Sequence, residues 1–304
     1  MSTPLLPDDV REHIQRFFGD RGRAWIAALP ELVADLARRW DLRIGDQAYG
    51  GGSHSLVVPA TRADGTAAVL KLPVQDEENR NEAVALRLYA GEGATLLYEA
   101  DAATGALLLE RLVPGTPLYR HPDREYAIDV ACALLCRLRR PLPAGHPFRP
   151  VPDLVDDWHR NVAAALERYG DPIPPAVLRE VLAAIEALAA PAGEAVLVNR
   201  DAHMLNILAA EREPWLLIDP KPLAGEPAFD GGWLLLDQLR DMPVRTPADA
   251  RRLSRRIADG LGVDPSRVRA WALARAAENV VWHLNERRDP DLYLSIATAL
   301  ADAP

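Results

Sequence analysis

The stretch VLVNRDAHMLNILAA, residues 196–210, is two apolar runs broken by Asn199, Arg200, Asp201, His203 and Asn206. A strand crossing a core does not carry Asn-Arg-Asp in its middle, so the break reads as a loop with chemistry in it. Asp201 and Asn206 are five residues apart, and Asp219 follows thirteen residues later, ending the short apolar run LLID. A β-hairpin built from the flanking runs would bring Asn206 and Asp219 side by side at its open end. A carboxylate and an amide oxygen are hard donors suited to Mg²⁺, which also keeps waters and takes phosphate oxygens. Asp201, just outside that pair, is placed to accept a proton from a hydroxyl nucleophile. Singly, each of the three is an ordinary turn residue; their spacing carries the reading.

That order resembles the protein-kinase arrangement H-R-D-x-x-x-x-N followed by a metal-binding Asp. The rest of the chain tests it. Residues 8–18 and 23–40 have helical spacing of apolar residues, and Pro30 is expected to divide the second run; together they read as an N-terminal helical extension. Strands are expected at residues 42–49, 56–60, 67–72, 95–99 and 106–112, with a helix at 78–89. This is a small, mostly antiparallel sheet with one inserted helix. Val113-Pro114-Gly115-Thr116-Pro117 breaks the pattern as a hinge. Beyond it, helices are expected at 124–139, 154–168, 175–189, 229–239, 247–261, 265–287 and 292–300, with a proline-rich loop at 141–152 and short strands at 195–198 and 215–218. The fold class is therefore α+β and bilobal: residues 1–112 form the extension and an antiparallel-sheet N-lobe, and residues 113–304 a mainly helical C-lobe.

A kinase needs a strand lysine for the nucleotide phosphates and a helix glutamate to hold it. Lys71 stands inside the apolar strand AVLKL, where a lysine needs a partner. Glu82 opens the apolar face of the following helix and is preferred over Glu78, one turn earlier. Gly51, Gly52 and Ser53 lie between the first two strands, where a phosphate-binding loop belongs, although the segment matches neither G-x-G-x-x-G nor the Walker pattern. Backbone groups near Glu110 and Leu112, at the crossing between lobes, are placed to pair with adenine.

Composition agrees with an enzyme of this size. The chain has 304 residues, 49% of them hydrophobic, with a net charge of −9. The acidic balance argues against nucleic acid as the main partner and suits a cationic small molecule. No apolar run spans a bilayer, and the N-terminal stretch lacks the basic and apolar regions of a signal peptide, so a cytoplasmic protein with no membrane partner is expected. Cys132 and Cys136 share one face of a helix and read as buried thiols rather than a disulfide or a metal site. Oligomeric state is left open.

AVLKL, EAVALRLYAGEGATLLYEAD, GALLLERLVPGTPL, IDPKPLAGEPAFD and ARAAENVVWHL together resemble the aminoglycoside and hydroxyurea antibiotic-resistance kinases, in particular their streptomycin 6-kinase group. The resemblance runs from about Gly45 to His283. It implies a protein-kinase-like fold, ATP with Mg²⁺, and phosphoryl transfer to a hydroxyl of a small molecule such as streptomycin. It makes Asp201 the base or hydroxyl-orienting residue, Asn206 and Asp219 the metal ligands, and Lys71 the phosphate contact. The family's catalytic loop reads H-G-D-L-H-P-G-N; here Asn199-Arg200 replace His-Gly and Met204-Leu205 replace Pro-Gly. That departure bears on the acceptor more than on phosphoryl transfer. For a polycationic acceptor, Asp156, Asp157, Glu278 and Glu286 are candidate anions and Trp158 and Trp282 candidate walls, with Glu278, Trp282 and Asp157 taken as substrate residues. His203 is expected to hold the loop, and Asp230 to brace it or cap the next helix. Two alternatives stand beside this reading: a metabolite or antibiotic-precursor kinase of the same fold, and a nucleotide-binding protein impaired in catalysis by its altered loop.

Overall fold

Pairing of alternating strands builds the first half of the chain. The computed structural model describes residues 6–50, 54–190 and 192–303. The chain forms two units, Met1–Gly115 with Ala210–Arg212, and Thr116–Ala209 with Glu213–Pro304.

In the first unit, helix α1 (Asp8–Arg39) precedes strands β1 (Leu42–Ile44), β2 (Ser55–Arg62) and β3 (Ala67–Pro73), helix α2 (Glu82–Tyr89), and strands β4 (Leu97–Ala100) and β5 (Leu107–Glu110). The sheet order is β1-β2-β3-β5-β4, with every pair antiparallel. Side chains alternate across a strand. Leu56, Val58 and Ala60 of β2 and Ala68, Leu70 and Leu72 of β3 therefore share one face, and they join Val10, Ile14, Leu29, Val33 and Leu36 of α1 in one buried cluster. The helix expected to be an extension is thus part of this unit's core. It is interrupted in the gap between the two expected runs, 8–18 and 23–40, but not at Pro30. The helix continues through Pro30, and its non-helical residue is Gly19, at φ 56° and ψ −130°. Glycine reaches that backbone region because it has no Cβ, whereas Pro30 sits on the exposed side of an otherwise well-anchored helix. The first strand is shorter than expected, ending at Ile44, and α2 starts at Glu82, leaving Glu78 in the preceding turn.

Strand β6 (Pro114–Pro117) carries the chain into the second unit. There follow α3 (Arg124–Leu138), α4 (Val151–Tyr169), α5 (Pro175–Ala189), β7 (Val196–Asn199), β8 (Ile207–Ala210), β9 (Trp215–Leu217), β10 (Pro222–Gly225), α6 (Ala228–Arg240), α7 (Pro247–Leu261), α8 (Pro265–Asn285) and α9 (Asp291–Ala301). Proline in the first turn and an N-cap acceptor, Thr246 for α7 and Asp264 for α8, start two of these helices where the sequence places them. Strand β10 was not expected; it pairs with β7. Cys132 and Cys136 face α7, donating to the carbonyls of Ile257 and Gly260, and burial pushes the Cys132 thiol up to about 12. Among the described residues no helix is long and apolar enough to cross a membrane.

Candidate active site

Two strand pairs in the second unit hold two loops side by side. β7 pairs with β10 through Asn199 opposite Pro222, and β8 pairs with β9 through Ile207 opposite Leu217. The loops between these pairs, residues 200–206 and 218–221, are therefore tied at both ends. At one end Arg200 N–H donates to the Lys221 carbonyl at 2.9 Å; at the other, Ile218 N–H donates to the Asn206 carbonyl at 2.8 Å. Asp201, Asn206 and Asp219 converge for this reason, as the hairpin argument expects for the last two.

The loop is shaped by short-range bonds. His203 N–H donates to Asp201 O, and Asn206 N–H to His203 O, both at 2.9 Å. Asn206 Nδ2 donates to Asp201 O at 3.0 Å and to Asp201 Oδ2 at 3.2 Å. The amide nitrogen is thus turned toward Asp201, which turns the amide oxygen away from it. His203 Nε2 lies 3.5 Å from Asp201 Oδ1, so the imidazole flanks the carboxylate from within the loop. Asp219 adopts φ 50°, a left-handed conformation that Asp tolerates better than most residues.

Beneath the loop, Asn199 is 2% exposed. Its Oδ1 accepts Asp201 N–H at 3.1 Å and Lys221 N–H at 2.8 Å. Its own N–H donates to Asp230 Oδ1 at 2.7 Å, so Asp230 does brace the loop. Burial pushes the Asp230 carboxyl up to about 7, against the opposing pull of the Asn199 N–H and Arg139. Burial likewise raises Asp237, which pairs with Arg240 at 2.5 Å and feels the His203 imidazole. Met204 is fully buried, and its sulfur accepts from Gln238 Nε2 at 3.5 Å, whereas Leu205 is 43% exposed. The residue pair that replaces Pro-Gly is therefore split between core and surface.

In the first unit, Lys71 Nζ lies 2.7 Å from each carboxylate oxygen of Glu82, with side-chain exposures of 7% and 2%. Lys71 opposes Val57 and Leu107 in the sheet, on the face away from α1, so the α2 glutamate can reach it. Glu82 rather than Glu78 is the partner. At the end of β5, Glu110 has its backbone engaged inside the sheet: its N–H donates to Leu96 O at 2.9 Å, and its carbonyl accepts from Thr95 Oγ1 at 3.2 Å. Its carboxylate takes the Arg212 guanidinium at 2.8 Å and Leu96 N–H at 3.1 Å, and Arg212 also donates to the carbonyls of Gly91 and Ala94. Leu112 follows β5 outside the ladder. Gly51, Gly52 and Ser53 lie outside the described residues.

The substrate candidates lie on or at the end of helices of the second unit, several of them already paired. Glu278 pairs with Arg275 at 3.0 Å, both largely buried, and Arg275 stacks over Trp233 at 4.3 Å. Trp282, one turn further along α8, lies under Arg288 at 4.9 Å. Asp157 binds Arg149 and Arg160, and the Arg149 hydrogen bond holds its carboxyl below the usual range. Trp158 is buried, 2% exposed, which makes it core rather than a wall, whereas Asp156 and Glu286 are exposed. Sequence reasoning does not single out Asn199, Lys221 and Asp237 as site residues; a polar residue directly before Arg-Asp and a lysine between two prolines are the available signals.

A lysine held by a buried helix glutamate in one unit, and an Asp-x₄-Asn loop beside a strand-end Asp in the other, are features expected of a protein-kinase-like phosphotransferase. The comparisons with known proteins narrow the class. Residues 39–287 match the aminoglycoside/hydroxyurea antibiotic resistance kinase family. A streptomycin 6-kinase of Streptomyces griseus is 38% identical over 285 residues, 92% of this chain and 91% of that protein. A hydroxyurea phosphotransferase of Kitasatospora aureofaciens is 38% identical over 92% of this chain and 81% of its own length. Among solved structures, a thermostable mutant of aminoglycoside phosphotransferase APH(4)-Ia with ADP and hygromycin B superposes with a TM-score of 0.63 at 15% identity, covering 89% of this chain and 97% of that one. The chain belongs to the aminoglycoside/hydroxyurea antibiotic resistance kinase family and is a phosphotransferase acting on small molecules.

Proposed function

We propose that the protein transfers the γ-phosphoryl group of ATP to a hydroxyl of a streptomycin-like aminoglycoside, in resistance or self-protection. The observation that carries this is 38% identity, over nine-tenths of both chains, to a streptomycin 6-kinase. Asp201 accepts the hydroxyl proton or aligns the hydroxyl with the γ-phosphate. Lys71, held by Glu82, contacts the nucleotide phosphates. Backbone groups near Glu110 and Leu112 are assigned to adenine; with the Glu110 pair already bonded in the sheet, Leu112 takes the larger part. Gly51, Gly52 and Ser53 are assigned to the phosphates.

The donor set at Asn206 and Asp219 fits Mg²⁺. The Asn206 amide is fixed with its oxygen turned from Asp201, and amide and carboxylate oxygens are hard ligands. Water and phosphate oxygens would complete the coordination of an ion held by these two side chains. Bound there, Mg²⁺ supplies positive charge against the phosphates as transfer proceeds. Glu278, Trp282 and Asp157 are assigned to the cationic acceptor, in a cytoplasmic enzyme.

A second reading takes hydroxyurea as the acceptor instead, favoured by the equal identity to a hydroxyurea phosphotransferase. Mass spectrometry of streptomycin and of hydroxyurea, each incubated with the protein, ATP and Mg²⁺, decides between them. Gain of one phosphoryl group on streptomycin is expected. Gain on hydroxyurea alone selects the second reading, and ADP release with neither modified refutes both.

A further inference from the structure

The segment Asp219-Pro220-Lys221-Pro222 carries a cation that none of these roles uses. Lys221 sits between two prolines, each with its own φ fixed by the ring. Its backbone is fastened on both sides: the N–H donates to Asn199 Oδ1 at 2.8 Å, and the carbonyl accepts Arg200 N–H at 2.9 Å. The same Asn199 Oδ1 accepts Asp201 N–H. One buried amide oxygen thus fixes the Lys221 backbone against Asp201. The lysine side chain turns back two residues: Nζ lies 2.6 Å from Asp219 Oδ1, and the side chain is 14% exposed. An ammonium so far removed from water needs an anionic partner, and the pair is as short as a charge-assisted hydrogen bond allows.

This pairing bears on how many ions the site accepts. A carboxylate shared between two divalent ions engages both through its oxygens, and phosphoryl-transfer sites often use two ions a few ångströms apart. Here Asp219 Oδ1 already faces an ammonium. A second divalent ion at that oxygen would lie against a like charge in a partly buried setting, where repulsion is strong.

We propose that Lys221 is a built-in second cation: it holds Asp219 Oδ1 and so limits the site to one divalent ion per nucleotide. The proposal rests on the reading of Asn206 and Asp219 as metal ligands. Lys221 is a positioning residue in this scheme, acting through Asp219.

The test is a Mn²⁺ titration of the whole protein with the non-hydrolysable analogue AMP-PNP, with free Mn²⁺ read by electron paramagnetic resonance. The wild type is expected to take up one Mn²⁺ per chain, Lys221→Arg one, and Lys221→Ala two. Lys221→Met, which keeps the aliphatic stem and removes the charge, is expected to match Lys221→Ala and stands in for it should the smaller residue unfold the loop. Two ions in the wild type would overturn the proposal while leaving the metal ligands in place. One ion in wild type and charge-free variants alike would show that Lys221 does not set the count. No uptake in any form would refute the metal reading itself, and this proposal with it.

Discussion

At the scale of single residues, Lys71 and Glu82 form an ion pair that neither partner could leave without cost. Both are buried in the first unit at 2.7 Å. Removing one partner of such a pair strands the other charge, at about 3–5 kcal/mol. Lys71→Met should therefore lower unfolding free energy by about that much, and the double variant Lys71→Met/Glu82→Leu should recover most of it in denaturant titrations. Neither should turn over substrate. Recovered stability with lost activity separates the nucleotide role from the structural one; a double variant less stable than the single would contradict the pairing argument. For Asp201→Asn, turnover should fall about 10³-fold while nucleotide affinity, measured by calorimetry, stays within a few-fold. Turnover close to wild type would remove Asp201 from the base role. These residues were legible in the sequence because each violates its surroundings: a lysine in an apolar strand, Asn-Arg-Asp between apolar runs. Asn199 stood out as polar but its bracing role did not, and Lys221 was not marked at all. Their work is done through backbone partners that the β7–β10 register brings together, and no local pattern encodes that register.

At the scale of elements, helix α1 shows where periodicity stops informing. Its apolar spacing marks it as a helix, but proline and glycine compete as the break, and tertiary anchoring decides between them. Leu29 and Val33, on either side of Pro30, are buried against the sheet, so the helix persists through the proline; Gly19 takes the turn instead. An interior proline forfeits one backbone hydrogen bond and crowds the preceding turn, at up to about 3 kcal/mol. Pro30→Ala should thus raise the melting temperature. Gly19→Ala should lower stability, and with it the melting temperature, through its backbone alone, by about 1–3 kcal/mol, since nothing lies within 4 Å of an added Cβ. Thermal unfolding of both variants checks this, and a stabilising Gly19→Ala would place the break elsewhere. Helices α5 and α7 begin and end where their sequences indicate, because proline, N-caps and flanking loops mark both ends locally. Strand β10 (PLAG) has no such marks, and only its partner β7 makes it a strand.

At the scale of the whole molecule, the kinase-like organisation was legible because it needs few residues at fixed spacing, whereas the acceptor was not. Glu278 and Asp157 already face arginines within the second unit, and a charge so paired says little by itself about what it receives. Global stability, by contrast, has one sharp handle in Asp230. The carboxyl is 3% exposed, and burial pushes it up to about 7 from an ordinary value near 3.8. Between those values the unfolded chain releases the proton while the folded protein keeps it. The folded state then binds more protons, so stability falls as pH rises. The contribution is complete below about pH 4 and is lost progressively toward pH 7, at about 1.4 kcal/mol per pH unit at most. Asp230→Asn keeps a carbonyl oxygen for the Asn199 N–H and cannot ionise. Its stability relative to wild type should therefore rise between pH 5 and pH 8, by about 1–3 kcal/mol in denaturant titrations at the two values. A difference that stays constant across that range would mean that Asp230 ionises at the same pH in the folded and unfolded chain, and that its burial does not govern the loop it braces.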